Sequence, residues 1–131
     1  MHTVIAETDE AARSAMRNAR EYFNVVLQEG IRTAQRTVME KSRFHQEQAN
    51  RERWLKRADT RRGATMEEAI ERGTILCGSP ETVVQQIRRA HGELGHGVFN
   101  FTAKVGNLPD DIVRRGMELF RDRVHPHVKD L

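Results

Sequence analysis

The chain has a single cysteine, Cys77, among 131 residues. One thiol cannot close an intramolecular disulfide, and a zinc site built from several thiolates is excluded. Cys77 lies in the apolar run TILC with no basic neighbour to activate it, so it reads as a small buried hydrophobe. Aromatics are also scarce, at 5% of the chain, with one tryptophan and one tyrosine. No apolar run comes close to the roughly 18 residues a membrane span needs, so no membrane partner is expected. The start, MHTVIAETDE, lacks a basic segment followed by an apolar one. It is not a signal peptide, and the expected location is cytoplasmic.

What is abundant is charge, at 31% of residues, with a formal net charge of +3. Segment 31–73 holds eleven Lys or Arg against seven Asp or Glu. The signs are interspersed and no aromatic ladder accompanies them, so nucleic acid is not an expected partner. A chain of this length makes one domain with its own core.

The N-terminal stretch TVIAE, 3–7, reads as a strand. Thr8 then caps a helix, with Asp9 and Glu10 in the first turn facing its positive end. Ala12, Ala15, Met16, Ala19, Phe23, Val26 and Leu27 recur at intervals of three and four and form one apolar stripe. Gly30 is expected to end or interrupt that helix. Apolar residues then become sparse, and glutamine, arginine and glutamate fill a helix-prone stretch with a weak buried face. Residues 31–62 therefore read as a surface excursion or a segment that needs a partner.

Punctuation returns at Thr65, where T-M-E-E makes a capping box with Glu68. A short helix over 66–72 ends at Gly73. Next comes TILC as a strand, then Ser79 as cap, Pro80 at the first helical position and Glu81 in the first turn. Val83, Val84, Ile87, Ala90, His91 and Leu94 form that helix's apolar face, and Gly95 suits its left-handed C-terminus. GVFNFTA, 97–103, reads as a strand. Asn107 is placed to cap a last helix whose stripe is Ile112, Val113, Met117, Phe120 and Val124, stopping near Pro126.

The second half is thus strand, helix, strand, helix, a pattern that fits a parallel crossover. Three strands leave parallel edges unpaired, which points to missing residues, a partner or a second copy. At the first junction, CGSPET, Gly78 and Ser79 stand where a strand turns into a helix whose free N–H groups can hold a phosphate. No glycine-rich phosphate fingerprint is present, and helix capping is the simpler job for Ser79. Asn100 and Thr102 sit near the outlet of the later strand, the end that lines functional faces in parallel α/β folds. His45, Arg51 and Trp54 would contact substrate if the polar segment folds over a pocket. His125 and His127 have metal-like spacing without an evident third ligand, so no metal is expected.

Taken together, ERGTILCGSPETVVQQI at 71–87, GHGVFNF at 95–101 and LPDDIVRRGMELFRDRVHPHV at 108–128 resemble the C-terminal end of the bacterial luciferase-like flavin monooxygenases. HTVIAETDEAARSAM at 2–16 is similar to the strand before a later helix of that family. The resemblance implies the C-terminal part of a TIM barrel, with residues 1–131 as one partial (β/α) unit and 74–131 as the last two βα units. It implies FMN or another reduced flavin, with a deazaflavin as the variant, bound mainly by residues outside this chain. Gly78, Ser79, Asn100 and Thr102 then become supporting cofactor positions, residues 31–70 become a polar helical insertion or lid, and His45, Trp54 and Arg51 belong to that lid. The implied reaction is flavin reduction, oxygen addition at the isoalloxazine, and oxygen transfer to an organic substrate. The implied partners are a companion chain that supplies the rest of the barrel, or a homodimer, and a flavin reductase. The alternative is a non-catalytic structural or regulatory partner that dimerises or completes a barrel.

Overall fold

A computed structural model describes residues 1–48, 50–53 and 65–131; of Leu27, His45 and Gln46 it describes the backbone alone. Two strands form the sheet, β1 (His2–Ile5) and β2 (Ile75–Gly78). They run parallel, with His2 opposite Ile75 and Ile5 opposite Gly78. The other edge of β1 meets residues 100–102 in the same direction. Met1 N donates to Asn100 O at 2.8 Å, Thr102 N to Met1 O at 2.7 Å, and Thr3 N to Thr102 O at 3.0 Å. Only the pair His2 and Thr102 reaches ladder geometry there.

This overturns the TIM-barrel expectation. In such a barrel, strands neighbouring in sequence are neighbours in space and the sheet closes on itself. Here the earliest strand lies in the middle, between β2 and 100–102, and both of its edges are used. The sheet among the described residues is open and short, and most of the rest is helical. The strand expected over 97–103 shrinks to the 100–102 contact. With β1 only four residues long, a longer neighbour finds no partner groups, and Val98 stays 86% exposed.

Helices cover both faces of the sheet. Alternation along the strands sends Val4, Ile75 and Cys77 to one face and Ile5 and Leu76 to the other. The first face packs on α1 (Asp9–Tyr22) through Ala12, Met16 and Ala19, and on Met66 and Ala69 of a later helix. The second face packs on Val83, Val84 and Ile87, and on Leu119 and Val124 near the C-terminus. Thr8 caps α1 as expected, accepting from Ala11 N. Small residues at Ala12 and Ala19 let α1 sit close to the sheet.

The apolar stripe of α1 does not continue as the sequence suggests. A π turn at Phe23–Leu27 adds a residue to the winding, and α2 (Gln28–Lys41) follows. Val25 and Val26 are consequently exposed, and α2 buries no residue. Gly30 neither ends nor interrupts the helix. It lies inside α2 with open space beside it, and a single glycine costs a helix only about 1 kcal/mol. A four-residue helix, α3 (Arg43–Gln46), comes next.

The later helices start as their caps dictate, with one exception. α4 (Met66–Glu71) carries the full Thr65–Glu68 capping box. α5 (Pro80–Leu94) has Ser79 as cap, Pro80 in the first turn and Gly95 at φ +61° as terminator. α6 (Asp110–Leu119) begins after Pro109 rather than at Asn107. The Pro109 carbonyl, not an asparagine side chain, receives the first helical N–H, from Val113. α6 runs on through a π turn at Phe120–Val124 and a short 3-10 turn at His125–His127.

The free side of β2 is closed by a side chain. The Gln86 amide donates to Cys77 O and accepts from Cys77 N, both at 3.0 Å. One amide thus replaces the peptide group of a neighbouring strand and blunts an open edge. Gln86→Ala leaves both Cys77 backbone groups unpaired in a half-buried place. The expected loss is about 1–3 kcal/mol, read by urea unfolding, with mass that rises with concentration as the bare edge begins to self-pair.

Candidate functional site

The end of the sheet where β1 and β2 finish collects the polar residues that sequence reasoning singles out for phosphate binding. Gly78 is buried, at φ +157°, and a Cβ there would lie 2.7 Å from the Thr82 methyl and 2.9 Å from Asp9 Oδ1. That close approach explains the glycine. Ser79 N donates to Asp9 Oδ1 at 2.6 Å, and the Thr82 hydroxyl donates to Asp9 Oδ2 at 3.0 Å. Ser79 Oγ in turn accepts from Thr82 N at 3.4 Å. The carboxylate of Asp9 therefore occupies the anion position at the start of α5, where free N–H groups and the helix dipole favour negative charge.

The hydrogen bond from the Ser79 amide, followed by that from Thr82, holds the Asp9 carboxyl below the usual carboxylate range. Its stabilisation is complete above the unfolded value near 3.8. It is lost as the pH falls through the lower folded value, because the protonated acid no longer accepts both bonds well. Asp9→Asn should therefore flatten the acid limb of the stability profile, and Asp9→Ala should cost about 1–3 kcal/mol near neutrality. Urea midpoints followed from neutral pH into the acid range check both.

A second set of charges ties the same end of the sheet to the C-terminal helix. Arg115 binds Glu7 and Glu118, and Arg123 bridges Glu7 at 3.1 Å and Glu81 at 2.7 Å. Gly116 lets α6 lie against the end of β1, since a Cβ there would stand 3.0 Å from Ile5 O. Glu7 lies 108 residues from Arg115 and 116 from Arg123, so no local motif announces these two pairs. The charges satisfy one another, and the pairs are exposed enough that their work is orientation more than stability.

The candidate positions do not converge. Gly78 and Ser79 stand at the end of β2, opposite Ile5, while Asn100 and Thr102 pair beside Met1 and His2 at the start of β1. Two strand spacings and three residues of rise separate the sets, about 10 Å in each direction. The side chains of Asn100 and Thr102 are exposed. Arg51 is exposed as well. The side chain of His45 and all of Trp54 lie outside the described residues, so the lid reading of these two finds no geometry here. Cys77 is buried, and burial pushes its thiol up to about 12, which leaves it unreactive. No group of three or more His, Cys, Asp or Glu among the described residues is placed to hold a metal ion. No helix among them is long and apolar enough to cross a membrane.

These observations define an open parallel α/β sheet, layered by helices, whose strand ends are crossed by ion pairs. Residues 1–97 match the family of luciferase-like monooxygenases. The chain belongs to that family, which carries an association with flavin-dependent oxidation. The match takes in both strands and the junction at Gly78, and it stops before the 100–102 contact and α6. No curated protein and no solved structure matches the chain.

The flavin expectation meets a specific obstacle in this chain. The Ser79 donor that a flavin phosphate would use is taken by Asp9, and a second anion beside that carboxylate would be repelled. The described residues do not by themselves form a flavin site.

Proposed function

We propose that this chain works as one part of a luciferase-like, flavin-dependent monooxygenase, with the flavin held mainly by a companion chain. The match to the family over residues 1–97 carries this reading. A reduced flavin supplies oxygen activation in such an enzyme. This chain's share is to complete the wall of the site, keep water out, and present the exposed Asn100 and Thr102 side chains to the bound molecules. The open sheet supports a partner. The outward N–H and C=O of Phe101 face no strand among the described residues, whereas the opposite edge is already closed by Gln86.

One observation favours a second reading, that of a non-catalytic structural partner. Asp9 fills the only helix start at which the sequence suggests a phosphate, so the chain can serve its family fold without touching cofactor. Titration of FMN fluorescence separates the two. The first reading expects no tight binding by the isolated chain and binding when the companion is added. It also expects that Asn100→Ala with Thr102→Ala weakens that binding. Under the second, the assembled pair forms and never takes up flavin. Tight FMN binding by the isolated chain would sink both.

A further inference from the structure

Residues 98–102, VFNFT, run beside β1, and Asn100 and Thr102 supply all the peptide groups that bond to it. Asn100 O accepts from Met1 N, and Thr102 bonds Met1 and Thr3. Peptide groups alternate in direction along an extended strand, so the N–H and C=O of Phe99 and Phe101 point away from β1. None of these outward groups has a hydrogen-bond partner among the described residues. An unpaired strand edge is a template for pairing with another chain. The opposite edge of the sheet is no such template, because the Gln86 amide bonds Cys77 there.

The side chains narrow the occupant. They alternate: Val98, Asn100 and Thr102 are exposed, whereas Phe99 and Phe101 are half-buried. The stretch carries no charge, proline or glycine, and it reads nearly the same in both directions about Asn100. Lay it antiparallel on a second copy of itself, with Asn100 opposite Asn100. Phe99 then faces Phe101, and Val98 faces Thr102. Aromatic meets aromatic, one β-branched residue meets another, and two amides bond each other; such cross-strand pairs are the stabilising units of a sheet. In this register Phe99 and the Phe101 of the second copy exchange both N–H···O bonds, and the symmetric pair does the same. Every outward group of Phe99 and Phe101 is thereby used. A register shifted by two residues would bring in Ala103, where the chain bends, and lose bonds.

We infer that residues 98–102 are a self-association edge: two copies join there antiparallel, about a two-fold axis at Asn100, into one continuous sheet. Growth stops at two copies because Gln86 closes the far edge of each. The contact is much smaller than a stable interface, so the dimer forms at high concentration. This describes the chain alone and does not depend on the flavin reading. A companion chain that uses the same edge has to displace the second copy.

Sedimentation equilibrium of the full chain, without flavin or companion, from micromolar to millimolar concentration is the test. The mass should climb from 15.1 kDa to twice that value and stop. Asn100 faces itself across the axis and is exposed, so a charge placed there meets its own copy without touching the core. Asn100→Lys and Asn100→Glu should each weaken self-association about ten-fold, with the urea midpoint unchanged. An equimolar mixture of the two variants should recover the association, because opposite charges then face each other. A second measurement needs no variant: the Phe99 and Phe101 amides should gain protection from hydrogen exchange as concentration rises. A parent chain that stays at 15.1 kDa, a mass that passes two copies, variants that associate as well alone as mixed, or exchange at Phe99 and Phe101 that ignores concentration would each overturn the proposal.

Discussion

Replacing Gly106 by alanine should destabilise the chain by about 2–5 kcal/mol. Two costs combine. Gly106 has φ +53°, a conformation that costs an L-residue about 1–2 kcal/mol. In addition, a Cβ there would collide with the Ala19 carbonyl oxygen, a backbone atom of α1 that cannot rotate away. Overpacking of this kind costs about 1–3 kcal/mol. The loop would have to lift from α1, exposing Val105 and Leu108, which are 1% and 3% exposed. Gly92→Ala is the control. Gly92 lies inside α5 with nothing within 4 Å, so alanine there should stabilise the helix by up to about 1 kcal/mol. Urea unfolding of the two variants should move in opposite directions.

Met16→Ala should cost about 2–5 kcal/mol, the range for emptying a large buried side chain. Met16 is fully buried and sits in the cluster formed by Val4, Ile75 and Cys77. It joins α1 to both strands, so its loss loosens the layer that holds the strands in register. Met16→Leu nearly conserves volume and should cost less than about 1.5 kcal/mol. A midpoint for the alanine variant within experimental error of the parent would mean that α1 does not pack on this face.

The parts of the fold that rest on neighbouring residues were legible in the sequence. Thr8, Thr65, Ser79 with Pro80, and Gly95 each declare a helix end through a side chain or a dihedral acting within one turn. The buried run at 75–78 and the stripe from Ala12 to Ala19 follow from periodicity alone. Strand order was not legible. Whether 2–5 pairs with 75–78, with 100–102, or with both is decided by packing across seventy to a hundred residues, and a barrel and an open sheet share the same local pattern. The stripe beyond Ala19 misled because one extra residue in a π turn rotates Val26 off the core. Asn107 misled in a related way: Pro109 fixes its own dihedral, and the helix starts behind it.

The candidate site was legible only in its glycine and serine. Gly78 and Ser79 mark a turn that favours an anion, and the structure supplies that anion from within, at Asp9. Nothing local to Asp9 distinguishes it from an ordinary first-turn acid of α1, since its partners are seventy and seventy-three residues away. A still longer separation hides Glu7, which waits for Arg115 and Arg123.

On the proposed function, this luciferase-like chain meets its flavin only in company. The most direct measurement isolates the tagged chain from the cells that make it and reads the mass and visible absorbance of the particle that elutes. The expected particle contains a second, different chain, with a flavin band that disappears when the two are separated. A particle of 15.1 kDa that carries its own flavin, or one that never acquires a partner or a flavin, would contradict it.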